Sequence, residues 1–389
     1  MTTEHHYFAT CPRGLEPVLA QELSALGAGN VAPTDGGVGC TGPWTLCYAA
    51  NLESRVASRI LWRVLERPYR DEEDIYAAVR SLPWHTWFGP ERTIRVGVAA
   101  IRSPLQSLDF ATLRIKDAVC DAFRAKSARR PDVDTRAPDI RIQAFLSACD
   151  CTLYIDTSGD ALFKRGYRKE AGIAPLRENL AAGILRLTGW DGAGALLDPM
   201  CGSGTFLCEA AMIALDRAPG LKRRFAFENL ALHDERAWRQ MLERAEARVK
   251  TAAALPIHGA DRYGDMLKLA RANLAALGME HAVQLKQANV LELPPPAASG
   301  TIVTNPPYGV RLNEQDEMAA FYPQLGDALK KKYSGWTAYI LSADMRLPKL
   351  IGLKASRRTP LYNGALECRL FEYRVVAGTM RKTPVTRDP

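Results

Sequence analysis

The chain has 389 residues, with 51 Lys and Arg against 43 Asp and Glu, so its formal net charge is +8. Its composition is 47% hydrophobic and 24% charged, which is typical of a globular protein and excludes a disordered or fibrous chain. The length predicts two or three domains of roughly 100–200 residues each, and no apolar run reaches the ~18–20 residues of a membrane span.

The N-terminal segment and the cysteines bear on where the chain works. Residues 1–6 contain neither the basic nor the apolar region of a signal peptide, so we expect no secretion signal. The nine cysteines are scattered without any C-x-x-C pair, and the six histidines show no metal-ligand spacing. This pattern disfavours a disulfide framework and a zinc site. We therefore expect a cytoplasmic protein without a bound metal.

The excess positive charge is concentrated in the C-terminal part of the chain. Residues 1–170 contain 22 basic and 21 acidic residues, whereas residues 171–389 contain 29 and 22. The basic residues form five clusters, which begin at Arg124, Lys164, Lys222, Lys330 and Arg357. Such clusters suit contacts to the phosphates of a polyanionic partner, although each one alone is more simply explained as a solvated surface.

Up to about residue 160, predicted strands and helices are mixed, which indicates an α+β region. The apolar spacing predicts a strand at 5–11, helices at 14–26, 43–61 and 71–82, a strand at 93–100, a helix at 108–126, and strands at 140–146 and 152–156. Two further short strands are expected around the glycine turn at 35–37. Trp84, Trp87 and Phe88 are able to stack on bases, but at this spacing we interpret them as core residues.

From residue 176 onward, short apolar strands alternate with helices. The predicted helices are 176–187, 205–215, 265–277 and 316–333, and the predicted strands are 195–198, 256–260, 283–286, 301–304 and 336–341. This alternation predicts a doubly wound, mostly parallel sheet of the Rossmann-like type. An insertion at 216–251 contains an Arg-rich helix at 234–250.

The loop at residues 197–205 has the features of a nucleoside site. An apolar strand ends at Asp198, Gly202 and Gly204 let the backbone turn tightly and approach a ligand, and a helix begins at Thr205. The loop matches neither a P-loop nor the G-x-G-x-x-G fingerprint, but it lies at the carboxyl end of a parallel strand, where such folds bind nucleosides. Asp261 ends the next strand, where its carboxylate is able to accept hydrogen bonds from both hydroxyls of a ribose. A glycine turn of purely structural use is the alternative.

A second motif, Asn305-Pro306-Pro307-Tyr308, follows the apolar strand at 301–304. An exocyclic amino group on a base is a poor nucleophile, because its lone pair is delocalised into the ring. The side-chain oxygen of Asn305 and the carbonyl of Pro306 can each accept one amino hydrogen, and the prolines stiffen the loop that holds them. Tyr308 offers a face for stacking. Catalysis then comes mainly from holding the nitrogen close to an electrophilic carbon. A loop cap without catalytic use is the alternative.

With both motifs in place, the sequence resembles the THUMP-domain, S-adenosylmethionine-dependent RNA guanine-N2 methyltransferases, in particular the N-terminal half of the bacterial enzymes that modify 23S ribosomal RNA. The similarity covers nearly the whole chain. It is carried by residues 9–10, 13–16, 57–60, 136–141, 156–160, 165–168, 171–175, 197–205 and 304–312.

The resemblance implies three domains. They are a ferredoxin-like region at 1–45, completed by residues up to about 70, a THUMP RNA-binding domain at 46–160, and a class I methyltransferase domain at 161–389 that contains the insertion 216–251. By analogy with the family, the loop from Asp198 holds the methionine part of the cofactor, Asp261 the ribose and Asn289 the adenine. Residues 167–178 cover the cofactor.

The implied cofactor-binding residues are Asp198, Pro199, Cys201, Gly202, Gly204, Thr205, Asp261, Asn289, Ala174 and Pro175, and the implied catalytic residues are Asn305, Pro306 and Tyr308. Relatives usually carry Asp where this chain has Asn289, so the hydrogen bond to the adenine amino group would lack a negative charge.

The expected function is methyl transfer from S-adenosylmethionine to N2 of a guanosine in 23S ribosomal RNA, free or in a pre-ribosomal particle, by direct displacement and without a metal. We expect a monomer with no membrane partner. The same reaction on tRNA is the nearest alternative. DNA adenine-N6 and protein glutamine-N5 methyltransferases share Asn-Pro-Pro-Tyr, and a non-catalytic RNA-binding assembly factor is an alternative of another class.

Overall fold

A computed structural model describes residues 3–127, 129–168, 176–251, 254–307 and 312–376. The chain divides into two compact units, each with its own seven-stranded sheet. The first unit comprises Met1–Lys169, Arg177–Gly183 and Leu215–Thr251, and the second comprises Glu170–Leu176, Ile184–Ala214 and Ala252–Pro389. None of the described helices combines the length and the apolar character that crossing a bilayer requires.

The first unit is built on a mixed sheet with the strand order β2-β3-β1-β4-β7-β6-β5. Its strands are β1 (His5–Thr10), β2 (Gly29–Thr34), β3 (Gly37–Gly42), β4 (Arg59–Pro68), β5 (Ile94–Ala100), β6 (Ile140–Leu146) and β7 (Asp150–Asp156). Its first four helices are α1 (Glu16–Ala25), α2 (Trp44–Glu53), α3 (Glu72–Arg80) and α4 (Leu108–Ser127). The first four strands with α1 and α2 form the ferredoxin-like arrangement, and β5–β7 with α3 and α4 extend the same sheet, so the expected α+β class is confirmed.

The prediction of a single long helix at 43–61 is wrong. Helix α2 ends at Glu53, because Ser54 adopts an extended backbone, and the chain re-enters the sheet as β4. Strand β4 lies between β1 and β7, and Trp62 pairs with Tyr7 on one side and Ile155 on the other. The apolar residues of this segment therefore pack within a sheet, between β1 and β7, and do not form the buried face of a helix.

Several aromatic residues of the first unit pack in its interior. Trp84 and Phe88 are buried, and Trp87 lies with its ring centroid 5.1 Å from that of Trp62. Trp44 of α2 contacts the same Trp62 ring at 5.2 Å. The interpretation of these aromatics as core residues is confirmed for Trp84 and Phe88, whereas Trp87 is half-buried.

Residues 215–251, which the sequence places inside the methyltransferase region, pack within the first unit. They contain helix α7 (Glu235–Ala247), and the backbone N–H of Asp234 donates to the Tyr48 hydroxyl of α2 at 2.7 Å. The rings of Phe227 and Trp238 lie 4.8 and 5.7 Å from the ring of Tyr48. Aromatic packing therefore anchors this segment to α2.

The second unit contains a sheet with the order β10-β9-β8-β11-β12-β14-β13. Its strands are β8 (Leu196–Asp198), β9 (Ile257–Asp261), β10 (Gln284–Gln287), β11 (Gly300–Thr304), β12 (Trp336–Ser342), β13 (Arg357–Asn363) and β14 (Leu366–Arg374). Strands β8–β12 are parallel, and β14 is antiparallel to β12 and to β13. The expected Rossmann-like, mostly parallel sheet is confirmed, whereas β13 and β14 lie beyond the predicted elements.

Helices join these strands and cover the sheet. They are α6 (Thr205–Ala214), α8 (Gly264–Ala276), α9 (Leu312–Lys332) and α10 (Leu347–Leu350), and α5 (Glu178–Thr188) begins in the first unit and ends in the second. The buried residues Tyr322, Leu325 and Leu329 of α9 pack in one hydrophobic core with Leu197 and Ile302 of the central strands. This core holds the ends of β8 and β11 in place.

Gly326 of α9 offers a test of this packing. A Cβ at this position would lie 1.7 Å from the backbone carbonyl oxygen of Ile351, so Gly326→Ala must displace backbone. We expect the variant to lower the free energy of unfolding by about 3 kcal/mol, measured by urea denaturation. Gly194→Ala is the matched control, because no described atom lies within 4 Å of its Cβ position. Equal loss in both variants would contradict the close packing of α9.

Candidate functional site

The two sequence motifs follow neighbouring strands of the second sheet. Strand β8 pairs with β11 through Leu197 and Ile302, and with β9 on its other side. The chain order of the strands reverses between β8 and β11, and this is the switch point at which open parallel sheets bind ligands. Asp198 ends β8, and Asn305 directly follows β11.

Two backbone N–H groups of the turn after β8 donate hydrogen bonds to the end of β9. The N–H of Cys201 donates to the carbonyl of Ala260 at 2.9 Å, and the N–H of Gly202 donates to Oδ2 of Asp261 at 2.9 Å. Gly202 and Gly204 have φ values of +53° and +78°, which favour glycine. No described atom lies within 4 Å of a Cβ built on Gly202, so the turn borders open space.

Asp198 lies at the bottom of this turn and is 2% exposed. Burial raises the pKa of its carboxyl to about 7, and the negative charge of Asp261 adds to the rise. The Thr304 hydroxyl and the backbone N–H of Met200 act in the opposite direction, and the Met200 N–H lies 3.2 Å from Oδ1. The folded chain therefore holds a carboxyl group whose ionisation is costly.

Asp261 is buried at the end of β9, and both of its oxygens accept backbone hydrogen bonds. Oδ2 takes the N–H of Gly202, and Oδ1 takes the N–H of Tyr263, each at 2.9 Å. A carboxylate has about four acceptor positions, so two remain for a ligand. This carboxylate is fixed in orientation by the very turn that it stabilises.

Asn289 follows β10, the strand beside β9, and it is exposed. Its side-chain oxygen accepts the backbone N–H of Leu291 at 3.1 Å. An amide oxygen has a second lone pair, so the side chain still has one acceptor position.

The Asn-Pro-Pro segment begins at the end of β11, beside the buried Thr304. Asn305 is half-buried, Pro306 is buried and Pro307 is exposed. The predicted site residues Tyr308, Ala174 and Pro175 lie outside the described residues.

The other predicted residues of the first motif are buried in the turn and in the start of α6. They are Pro199, Cys201 and Thr205. Burial raises the pKa of the Cys201 thiol well above its ordinary value, and the charges of Asp198 and Asp261 add to the rise. This thiol is therefore not a nucleophile. In the described part of the chain, no three His, Cys, Asp or Glu side chains come together as a metal-binding group.

Two residues at this edge of the sheet are absent from the sequence prediction. Asn273 of α8 donates from Nδ2 to the carbonyl of Ser203 at 2.9 Å and so supports the glycine turn. Tyr263 is 60% exposed beside Asp261, and the guanidinium of Arg262 lies 5.1 Å from its ring centroid. The sequence carries a signal for Tyr263, because it is an aromatic residue two positions after the acid that ends β9. It carries none for Asn273, whose role depends on a hydrogen bond to Ser203, 70 residues away.

The raised pKa of Asp198 predicts a specific pH dependence of stability. Because the folded-state pKa of about 7 exceeds the ordinary value of about 3.9, the folded state binds the extra proton, and stability falls as pH rises from about 4 to about 7. We expect wild type to lose about 2–3 kcal/mol relative to Asp198→Asn between pH 5 and pH 8. Urea unfolding of both proteins measures this, and parallel pH curves would contradict it.

Comparison with known proteins places each part of the chain. Residues 165–372 match the family model described as RMKL-like, methyltransferase domain. Residues 69–156 match the THUMP domain, and residues 6–61 match the RlmL ferredoxin-like domain. The chain is also similar to the solved structure of SMU.472, a provisionally classed methyltransferase complexed with SAH, at 31% identity and a TM-score of 0.89, over 97% of this chain and 100% of that one.

Among curated proteins, the chain is 42% identical to ribosomal RNA large subunit methyltransferase K/L of Syntrophotalea carbinolica, over 94% of this chain and 53% of the relative. The Aeromonas hydrophila protein of the same name is 40% identical, over 95% of this chain and 54% of its own length. The chain thus spans about half the length of these relatives. A Synechocystis protein with the provisional name RNA methyltransferase is 37% identical over 95% of this chain and 97% of its own. The chain therefore belongs to the RMKL-like methyltransferase family.

Proposed function

We propose that the chain transfers a methyl group from S-adenosylmethionine to N2 of a guanosine in 23S ribosomal RNA, free or within a pre-ribosomal particle, in the cytoplasm. The observation that carries the proposal is the order of strand ends. Asp261, Asp198 and Asn305 terminate or follow the neighbouring strands β9, β8 and β11. A nucleoside donor and a base acceptor can therefore meet at one edge of the sheet.

The residues at this edge fit S-adenosylmethionine. The open space at Gly202 admits a ligand against the backbone turn, and two acceptor positions of Asp261 suit the two ribose hydroxyls. The second acceptor position of Asn289 suits the adenine amino group. When bound, the cofactor supplies a methyl group on a positively charged sulfur, which is electrophilic enough to need no covalent enzyme intermediate.

Asn305 and Pro306 orient the acceptor. The side-chain oxygen of Asn305 and the carbonyl oxygen of Pro306 accept the two N–H groups of a guanine amino group, which fixes the direction of the nitrogen. Such positioning reduces the entropy cost of reaction and accounts for most of the rate gain expected here. Tyr308 stacks on the base.

The RNA substrate is supported by the THUMP match and by the names of the curated relatives. A guanine paired or stacked in RNA must leave its stack to reach the loop, at a cost of a few kcal/mol that is smaller for an unpaired base. The same chemistry on tRNA guanine is tested alongside.

Asn305→Ala tests the acceptor site. We expect the variant to lose about 100-fold or more in methyl transfer, because the amino group is no longer held, while the Kd for SAH stays within about twofold. The assay uses labelled methyl donor with unmodified 23S rRNA, and nucleoside mass analysis identifies the product. Asn363→Ala, at the end of β13, is the control and should match wild type.

N2-methylguanosine in 23S rRNA supports the proposal, whereas methylation confined to tRNA, to DNA adenine or to protein glutamine contradicts it. Wild-type turnover by Asn305→Ala would overturn the role of this side chain.

Asp261→Asn tests the donor site. The substitution removes the negative charge of Asp261. It also places an amide NH2 group against one of the two backbone N–H groups, of Gly202 and Tyr263, that the carboxylate now accepts. Since hydrogen bonds to charged groups contribute about 1.5–3 kcal/mol, we expect the Kd for SAH to rise about 10- to 100-fold by calorimetry. Asp265→Asn, on the exposed first turn of α8, should bind like wild type. An unchanged Kd for Asp261→Asn would remove Asp261 from the donor site.

A further inference from the structure

Most of the exposed apolar side chains of the second unit lie at one edge of its sheet. Among the described residues of this unit, the exposed large apolar or aromatic side chains are Tyr263, Met345, Leu366 and Val376. The first two follow the carboxyl ends of β9 and β12. The third begins β14 and lies at the same edge, because β14 is antiparallel to β12 and Arg369 is opposite Ser342. The fourth lies at the opposite edge, where the N–H of Val375 donates to the carbonyl of Trp336 at the start of β12.

Met345 lies on the side of this edge that carries the Asn-Pro-Pro segment. Strand β12 is parallel to β11, with Ile340 opposite Thr304, which brings the last residues of β12 beside Asn305. The strand ends at Ser342. Because three residues span at most about 11 Å and paired strands lie ~4.8 Å apart, Met345 is near the residues that would hold the acceptor base.

Residues 343–346, which we call the β12 loop, are tethered on both sides of Met345. The N–H of Asp344 donates to Oγ of the buried Ser342 at 3.0 Å, and the N–H of Arg346 donates to Oδ1 of Asp344 at 2.9 Å. The guanidinium of Arg346 also donates from Nε and Nη2 to the two Asp344 oxygens, each at 3.0 Å. The loop therefore holds Met345, which is 45% exposed, at the surface on a stiff backbone.

The β12 loop also lies near the start of α9, the helix that follows the Asn-Pro-Pro-Tyr segment. The Asp344 carboxylate raises the pKa of the Arg346 guanidinium, and Tyr322 and Asp316 of α9 add to the rise. Electrostatic effects of this size require proximity. The β12 loop and the first turns of α9 are therefore neighbours beside the end of β11.

This part of the edge offers apolar contact rather than uncompensated positive charge. Arg346 pairs with Asp344 at 3.0 Å, and Arg369 pairs with Glu367 at 2.6 Å. A phosphate would meet two arginines that are already neutralised by carboxylates. The thioether of Met345, in contrast, suits the face of an aromatic ring, and apolar side chains such as Met and Leu separate stacked bases in other nucleic-acid-binding proteins.

The proposed reaction has a use for such a contact. A guanine must leave its stack before its amino group can reach a methyl donor, and this unstacking costs free energy. The faces of the neighbouring bases are then exposed to water. An apolar side chain that fills the gap stabilises the unstacked RNA without touching the reacting atoms.

We propose that Met345 packs against the base next to the target guanosine and fills the place in the stack that the guanine leaves. Met345 is then a positioning residue, which stabilises the RNA conformation in which Asn305 and Pro306 hold the amino group. The proposal rests on the proposed function for a stacked RNA base as the acceptor, and it adds the end of a further strand, β12, to the site.

Protection of Met345 from oxidation tests this contact without turnover. The full chain with SAH is treated with limiting hydrogen peroxide, with and without unmodified 23S rRNA, and mass spectrometry of its peptides gives the rate of sulfoxide formation. We expect RNA to slow the oxidation of Met345 about fivefold or more, because the thioether is covered by a base. Met241, half-buried in α7 of the first unit, is the internal reference and should change less than about twofold.

Methyl transfer to two RNA hairpins tests the role of the contact. Both contain the methylated guanosine of 23S rRNA, paired in one hairpin and opposite an abasic site in the other. We expect Met345→Ala to lower kcat/KM about 10-fold on the paired guanosine and less than about twofold on the unpaired one, which is easier to unstack. Met345→Leu keeps an apolar side chain of similar volume and should restore most of the rate. Val376→Ala, at the opposite edge, should match wild type.

An equal loss on both hairpins, a Met345→Leu variant as slow as Met345→Ala, or oxidation of Met345 that RNA leaves unchanged would each overturn the proposal. Because oxidation is measured without methyl transfer, the two proposals fail separately. A chain whose Met345 is protected by RNA but which methylates no guanine refutes only the proposed function. A chain that methylates guanine N2 with Met345 unprotected refutes only the role of Met345.

Discussion

Strands β8 and β11 lie side by side although about 100 residues separate them in the chain, and the candidate site depends on this pairing. The contact of Leu197 with Ile302 brings the end of one apolar strand, with its acid, next to the end of another, with its Asn-Pro-Pro loop. The two strands are kept in register by the core that α9 forms against them. In the proposed function, the first motif would supply the nucleoside site and the second the amino-group acceptors, so both strand ends are required.

The same pairing imposes a cost in stability. Asp198 is buried where its charge is poorly solvated, and its pKa rises to about 7 as a result. Asp261 accepts hydrogen bonds from two backbone N–H groups at this edge, whereas Asp198 accepts one, from Met200. A local conflict of this kind, in an otherwise consistent fold, is typical of functional sites.

The sequence allowed the local elements to be predicted where periodicity was strong, as for α4 and β6. It failed at β4, because the two strands that flank Trp62 come from residues far away in the chain. It also missed β13 and β14, whose place is set by pairing with β12. The packing of residues 215–251 on α2 depends on contacts such as Tyr48 with Asp234 across 186 residues. At the site, the ends of β8, β9 and β11 were visible in the sequence, but the hydrogen bonds that orient Asp261 and support Ser203 were not.

A crystal structure with SAH and an RNA fragment that contains the methylated guanosine tests the central claim most directly. We expect the guanine N2 to lie within hydrogen-bond distance of the Asn305 side-chain oxygen and the Pro306 carbonyl, and the ribose of SAH to lie on Asp261. A guanine bound away from the end of β11, or SAH bound elsewhere than at the ends of β8 and β9, would contradict it.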